Sequence, residues 1–158
     1  MGRSEMEVLS DKLEILEVIS RYTIFLNEHD WDNFPSLLTD DFRWVLPPPF
    51  NFDIKNRSEF MKYLRGLKDS YLWEFQMPHG VVFDLIEHDR AKARHTLHVT
   101  TNRSEMIGLC YDLFAREGDG KWRFARREFI TTYHSDTAPP GKAYRSQPDT
   151  ANPKWYKI

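Results

Sequence analysis

The chain has 158 residues, 41% apolar and 29% charged, the size and balance of one domain built around one core. Its 22 Lys and Arg against 24 Asp and Glu leave a net charge of -2, so it lacks the basic field that nucleic-acid or anionic-membrane binding would require. With Cys110 as its one cysteine, and no Cys or His pair at zinc-finger spacing, it offers neither a disulfide scaffold nor a structural zinc or other metal site, and a reducing, cytoplasmic setting is expected.

Met1 to Glu7 is acidic and lacks the apolar centre of a signal peptide, and no stretch approaches the ~20 apolar residues of a membrane helix. Residues 5 to 28 carry Leu9, Leu13, Leu16, Ile19, Thr23 and Leu26 at nearly 3.6-residue spacing, with Ile15, Val18, Tyr22 and Phe25 widening the stripe, which predicts a deeply buried helix. Ser4 and Glu7 have the spacing of a capping box at its start. A second, short helix is predicted over Asp32 to Leu38, with Pro35 in its first turn and Thr39-Asp40-Asp41 closing it. Phe42 to Leu46 reads as a strand, stopped by Pro47-Pro48-Pro49, which opens a loop carrying Phe50 and Phe52. A third helix, Glu59 to Lys68, follows a cap at Asn56 or Ser58 and gathers Phe60, Tyr63, Leu64 and Leu67 on one face.

After a linker from Tyr71 to Met77 the period changes. Strands are predicted over His79 to Glu87, Ala91 to Thr101, Glu105 to Arg116 and Lys121 to Tyr133, separated by short turns, the pattern of an antiparallel meander. Three helices followed by a meander give an α+β fold with the helices on one face of a curved sheet. From Ser135 the chain is rich in proline and ends in Trp155 and Tyr156, so residues 1–134 read as the domain and 135–158 as an extended arm that docks on the body or on another subunit.

The order of elements and several local phrases resemble the SnoaL-like branch of the nuclear transport factor 2 superfamily. The phrases are Arg21-Tyr22 with Asn27-Glu28-His29-Asp30-Trp31-Asp32, then Leu37-Leu38-Thr39-Asp40-Asp41-Phe42, then Asp119-Gly120-Lys121-Trp122-Arg123-Phe124-Ala125-Arg126-Arg127. The resemblance spans roughly residues 8 to 133 and implies a cone-shaped curved antiparallel sheet wrapped on three N-terminal helices, enclosing an apolar cavity. Its members include scytalone dehydratase, polyketide cyclases, steroid isomerases, a dehydrochlorinase and the small subunits of aromatic-ring dioxygenases. One fold with so many chemistries leaves the activity to be argued from the site.

In the dehydratase-like members a His at the start of the first long strand is the general acid or base, paired with an Asp from the first helix. By this resemblance His79 is the first catalytic candidate, and an imidazole suits proton transfer near neutral pH; a His that caps the strand is the competing reading. The Asp is not carried over. Asn27 stands in its place and Arg21 at the alternative acid position one turn earlier. Asn27 can orient a ring N–H or a carbonyl but accepts no proton; it also suits a left-handed helix end.

Alternation around Ala93, Leu97 and Val99 puts His95 and Thr101 on the cavity side and His98 on the other face, which argues against a shared metal. Ile107, Leu109, Tyr111 and Leu113 alternate on one face, and the resemblance implies that Tyr111 stands where the dehydratase has a substrate-binding amide, a phenol able to hold an oxyanion, or else is a core tyrosine. On the last strand the same resemblance implies that Ala125, Arg127, Phe129 and Thr131 are set inward. An inward Arg127 demands an acidic partner such as Asp112 or Glu128, or a substrate anion, and a one-residue slip turns it out to solvent. Trp44, Leu46, Phe50, Phe52, Trp73 and Phe75 offer flat apolar surface around a mouth.

These residues suggest a cofactor-independent dehydratase, cyclase or isomerase for a small apolar, carbonyl-bearing metabolite of polyketide, terpenoid, steroid or aromatic type. His79, Asn27 and Tyr111 would be catalytic, and His95, Arg127, Thr101, Trp44, Leu46 and Phe129 would bind substrate. A homodimer or homotrimer is expected. The alternative is a non-catalytic ligand-binding or assembly subunit resembling the dioxygenase small subunits, favoured by the missing Asp at position 27 and the Arg-rich segment Arg123 to Arg127.

Overall fold

A computed structural model describes residues 2–68, 70–71 and 73–140. The expected arm therefore lies almost wholly outside the described residues, Trp155 and Tyr156 included. Helix α1 runs Glu5–Glu28, and the predicted capping box is formed, with Ser4 accepting from the Glu7 N–H and the Glu7 carboxylate accepting from the Ser4 N–H. Its left-handed C-cap is His29, so Asn27 lies within the helix and has no left-handed role.

The buried stripe of α1 is Asp11, Ile15, Ile19, Tyr22, Thr23, Leu26 and Asn27. Leu9 and Leu13 are exposed, which corrects the expectation of a helix buried along its whole length. The reason is Asp11: its carboxylate accepts from Arg3, Arg116 and the indole Nε1 of Trp122, and this bolt turns the first half of the helix so that Leu9 and Leu13 face outward.

A single 3-10 turn, Phe34–Leu37, stands where the second helix was predicted, so two α-helices rather than three pack on the sheet. Strand β1, Leu38–Leu46, begins at once and absorbs Thr39-Asp40-Asp41, with Thr39 buried and the two aspartates exposed, instead of closing a helix. The loop after the prolines contains a short strand β2, Phe52–Ile54, and α2 spans Arg57–Lys68.

Strands β3 (Glu74–Ile86), β4 (Arg90–Thr101), β5 (Glu105–Arg116) and β6 (Trp122–Ser135) form the predicted meander. The sheet order is β2-β1-β6-β5-β4-β3, and β1 pairs with β6 in parallel, so the sheet is mixed rather than wholly antiparallel. It is curved and open, the cone-like α+β architecture. Bulges in β3 against β4, in β6 against β5 and in β1 against β6 bend it. At Gly108 a Cβ would lie 2.1 Å from the Ile130 carbonyl oxygen, so only glycine permits that approach of β5 to β6.

The concave face and α1 enclose the main core, centred on Ile15, Ile19, Phe34, Phe42, Phe60 and Phe124. A second cluster, Leu46, Leu97, Val99, Cys110 and Phe129, lies further along the sheet. Among the described residues no helix is long and apolar enough to cross a membrane.

Candidate active site

Between the helices and the concave sheet lies a cavity of about 80 Å3. Tyr22 and Leu26 of α1 and Phe60, Tyr63, Leu64 and Leu67 of α2 form one wall; Trp44, Leu46, Leu97, Val99, Met106 and Phe129 form the sheet side. Polar groups are few, as befits a site in which a small number of them fix orientation: Glu74, Gln76, Thr101 and Arg127, with Tyr71 from the connection after α2. Burial pushes the Tyr63 phenol up to about 12.

Arg127 is inward and only 1% exposed, brought there by the register shift that skips Ala125 between Phe124 and Arg126. Its acidic partner is Asp112 rather than Glu128: Nε donates to Oδ1 and Nη2 to Oδ2, both at 2.8 Å. Burial works against the Asp112 carboxylate, but the Arg127 charge and hydrogen bonds outweigh it and hold its pKa below the usual range. The guanidinium carbon sits 4.1 Å from the Tyr22 ring centroid and 4.5 Å from that of Phe124, so aromatic faces sandwich the cation. Nη1 is buried without a hydrogen-bond partner.

His95 is also inward and buried, yet it does not reach the cavity. Its Nδ1 lies 3.0 Å from the Thr96 carbonyl oxygen, which can only accept, so Nδ1 carries a proton. Its Nε2 lies 3.0 Å from Arg127 Nη2 and 3.1 Å from Asp112 Oδ2, so the ring sits against both members of the ion pair. His95 thus braces the Arg127–Asp112 pair from behind, off the cavity wall.

Three expectations change. His79 is exposed, pairs with outward-facing Thr96 and does not border the cavity, because the inward set at the start of β3 is Glu74, Gln76 and Pro78. Asn27 is buried but spent: its Nδ2 donates to the Gln76 carbonyl at 2.9 Å and its Oδ1 accepts from the Gln76 N–H at 2.7 Å. Tyr111 is 39% exposed on the convex face, since the buried set of β5 is Gly108, Cys110, Asp112 and Phe114. The apolar alternation Ile107, Leu109, Tyr111, Leu113 is real but lines the outside.

Thr101 borders the cavity, but its hydroxyl accepts from the Arg103 and Ser104 N–H groups and meets Ser104 Oγ, so it holds the β4–β5 turn. Trp44, Leu46 and Phe129 are on the cavity wall, whereas Phe50, Phe52, Trp73 and Phe75 are not. His98 is on the opposite face from His95, paired with Glu105 at 2.6 Å, and among the described residues no group of His, Cys, Asp and Glu is placed to hold a metal.

The residue that sequence reasoning missed is Glu74, assigned to a linker. It opens β3 half-buried on the cavity wall, and desolvation there pushes its pKa above the ordinary carboxylate value, opposed by a bond from Gln76 Nε2 to Oε1 at 2.9 Å. The signal was the period-two run of Glu74, Gln76 and Pro78 against Phe75, Met77 and His79.

A sequence model described as "SnoaL-like domain" matches residues 7–128. No curated protein matches the chain. Among solved structures, a scytalone dehydratase-like protein from Novosphingobium aromaticivorans aligns with TM-score 0.73 at 21% identity over 85% of this chain and 96% of that one. A hexachlorocyclohexane dehydrochlorinase, LinA type 2, aligns with TM-score 0.78 at 14% identity over 89% and 97%. A conserved protein from Planctomyces limnophilus aligns with TM-score 0.66 at 22% identity over 78% and 97%. At these identities the likeness is one of fold.

Proposed function

The chain belongs to the SnoaL-like domain family, and from that premise we propose that it is a cofactor-independent lyase or isomerase, acting by general acid–base chemistry on a small apolar, carbonyl-bearing metabolite. The observation that carries this reading is the Arg127 guanidinium on the wall of an aromatic cavity, neutralised by Asp112 and with Nη1 lacking an acceptor. Because Asp112 already balances the charge, the missing partner is an oxygen that gains negative charge during reaction rather than a permanent carboxylate. A carbonyl that passes through an enolate fits that demand. The dehydratase and dehydrochlorinase names of two fold neighbours are in keeping with it. A volume of about 80 Å3 favours a single ring or short chain over a polycyclic substrate.

Small β-hydroxy ketones and their dehydration to conjugated enones, read by absorbance, test this reading. Turnover by the wild type that falls on the order of a hundredfold in Arg127→Met supports it, that being the scale of losing an oxyanion donor. Absence of both turnover and ligand-induced thermal stabilisation across the panel refutes it.

A second reading concerns assembly. Val82, Ile107, Leu109, Tyr111, Leu113 and Ile130 are exposed on the convex face of the sheet. Such a surface supports a homodimer or homotrimer, or else assembly with a larger iron-containing subunit as the alternative function requires. Light scattering of the purified chain, with and without co-expressed candidates, separates these.

A further inference from the structure

We propose that Glu74 is the proton-transferring group of this cavity, taking the place that a strand histidine was expected to fill. The inference rests on the acid–base reading above and adds the residue that performs it. Glu74 is the only carboxyl among the described residues on the cavity wall. It lies directly opposite Thr101 in the β3–β4 register, on the inward face of both strands. Gln76 Nε2 fixes Oε1, and among the described residues no donor meets Oε2. That leaves one carboxyl oxygen for a substrate proton.

The position is held from behind. Asn27 ties both backbone polar groups of Gln76 to the end of α1, so the strand two residues from Glu74 cannot slide. The titratable or charged neighbours on the cavity are Tyr22 from α1, Tyr63 from α2, Tyr71 from the connection and Arg127 from β6; the β1 and β4 walls contribute none. Arg127 is already matched by Asp112, and burial raises Tyr22 and Tyr63 far above neutrality. The Glu74 ionisation is therefore the one that a pH profile in the weakly acidic range would register, and its raised pKa makes the carboxylate a stronger base than an exposed one.

The step balances without a co-reactant. The Glu74 carboxylate takes a proton from the carbon next to the carbonyl, and the C–H electron pair moves into a C–C double bond. Negative charge collects on the oxygen at Arg127. The new carboxylic acid then returns the proton to the far carbon of a dienolate, giving an isomer, or to a departing hydroxyl, giving water and an enone.

The test uses the whole chain and cyclohex-3-en-1-one, a single-ring ketone whose isomerisation to the conjugated enone is followed by ultraviolet absorbance. Wild type should exceed Glu74→Gln by on the order of a hundredfold. Its kcat/KM should rise with pH through one ionisation above the usual carboxylate range, a limb missing in Glu74→Gln. Glu74→Asp, which keeps the acid but withdraws it by one methylene, should keep that limb at a lower rate, and His79→Ala should match wild type. Near-wild-type rate in Glu74→Gln with loss in Arg127→Met overturns the role of Glu74 and leaves the acid–base reading standing. A wild type no faster than buffer overturns both.

Discussion

Replacing Asp112 with Asn leaves the Arg127 guanidinium buried beside a neutral amide. The two side chains are 0% and 1% exposed, so no water can substitute for the lost charge. Asn preserves at most one of the two acceptors now meeting Nε and Nη2 at 2.8 Å. Stranding one member of a buried pair costs about 3–5 kcal/mol, and at about 2–4 °C per kcal/mol for a domain of this size the midpoint falls by roughly 6–20 °C. Urea unfolding at neutral pH measures it, with an unchanged slope showing that the transition itself is the same. Asp112→Leu combined with Arg127→Met removes both charges and should recover most of the loss, since apolar replacement of a whole buried pair is often neutral or stabilising. The double variant should then be stable and inactive, which separates the structural part of the pair from its part in the reaction. A cost below about 1 kcal/mol for Asp112→Asn, or a double variant weaker than the single one, would refute the reasoning.

Asn27→Ala removes two hydrogen bonds and strands the Gln76 backbone, at a cost of about 2–4 kcal/mol by urea unfolding; an effect within 0.5 kcal/mol of zero, roughly surface level, contradicts the lock. Gly108→Ala forces a methyl against the Ile130 carbonyl, so the β5–β6 pairing must shift, with a loss of about 1–3 kcal/mol or more and weakened hydrogen-exchange protection along both strands. Leu109→Asp with Leu113→Asp, on the convex face, should lower the mass seen by light scattering to that of one chain while far-ultraviolet circular dichroism stays unchanged. For Glu74 the sign is fixed by its raised pKa: the stability it contributes is whole below the ordinary value of 4.5 and lost as pH rises through the folded-state value. Glu74→Gln should therefore melt higher than wild type near neutral pH, with the gap closing below about pH 4.5; a lower melting point at neutral pH would contradict the burial penalty.

Element order was legible because each period is written locally. The capping box, the α2 face and the four meander strands all follow from residues within a few positions of one another. What escaped was set by distant partners. Asp11 turns α1 by accepting from Arg3, Arg116 and Trp122, and no helical period could foretell that Leu9 and Leu13 would face outward as a result. The parallel pairing of β1 with β6 joins segments some eighty residues apart and leaves no local trace either.

The site turned on strand parity, and parity was hardest to read where both faces are apolar. In β5 the outer set Ile107, Leu109, Tyr111, Leu113 is more hydrophobic by eye than the inner set Gly108, Cys110, Asp112, Phe114, so the usual rule selected the wrong face. Charge decides where hydrophobicity cannot. An inward Arg127 next to an inward His95 needs a carboxylate on the strand between them, and of the two on β5 Glu105 lies far along the strand against His98 while Asp112 stands opposite Arg127; once Asp112 turns in, Tyr111 must turn out. The same logic applies to β3: a period-two reading begun at Glu74 sends His79 outward and brings a carboxyl to the cavity. Buried polar groups, each requiring a named partner, thus fix the register of this sheet more tightly than its apolar residues do.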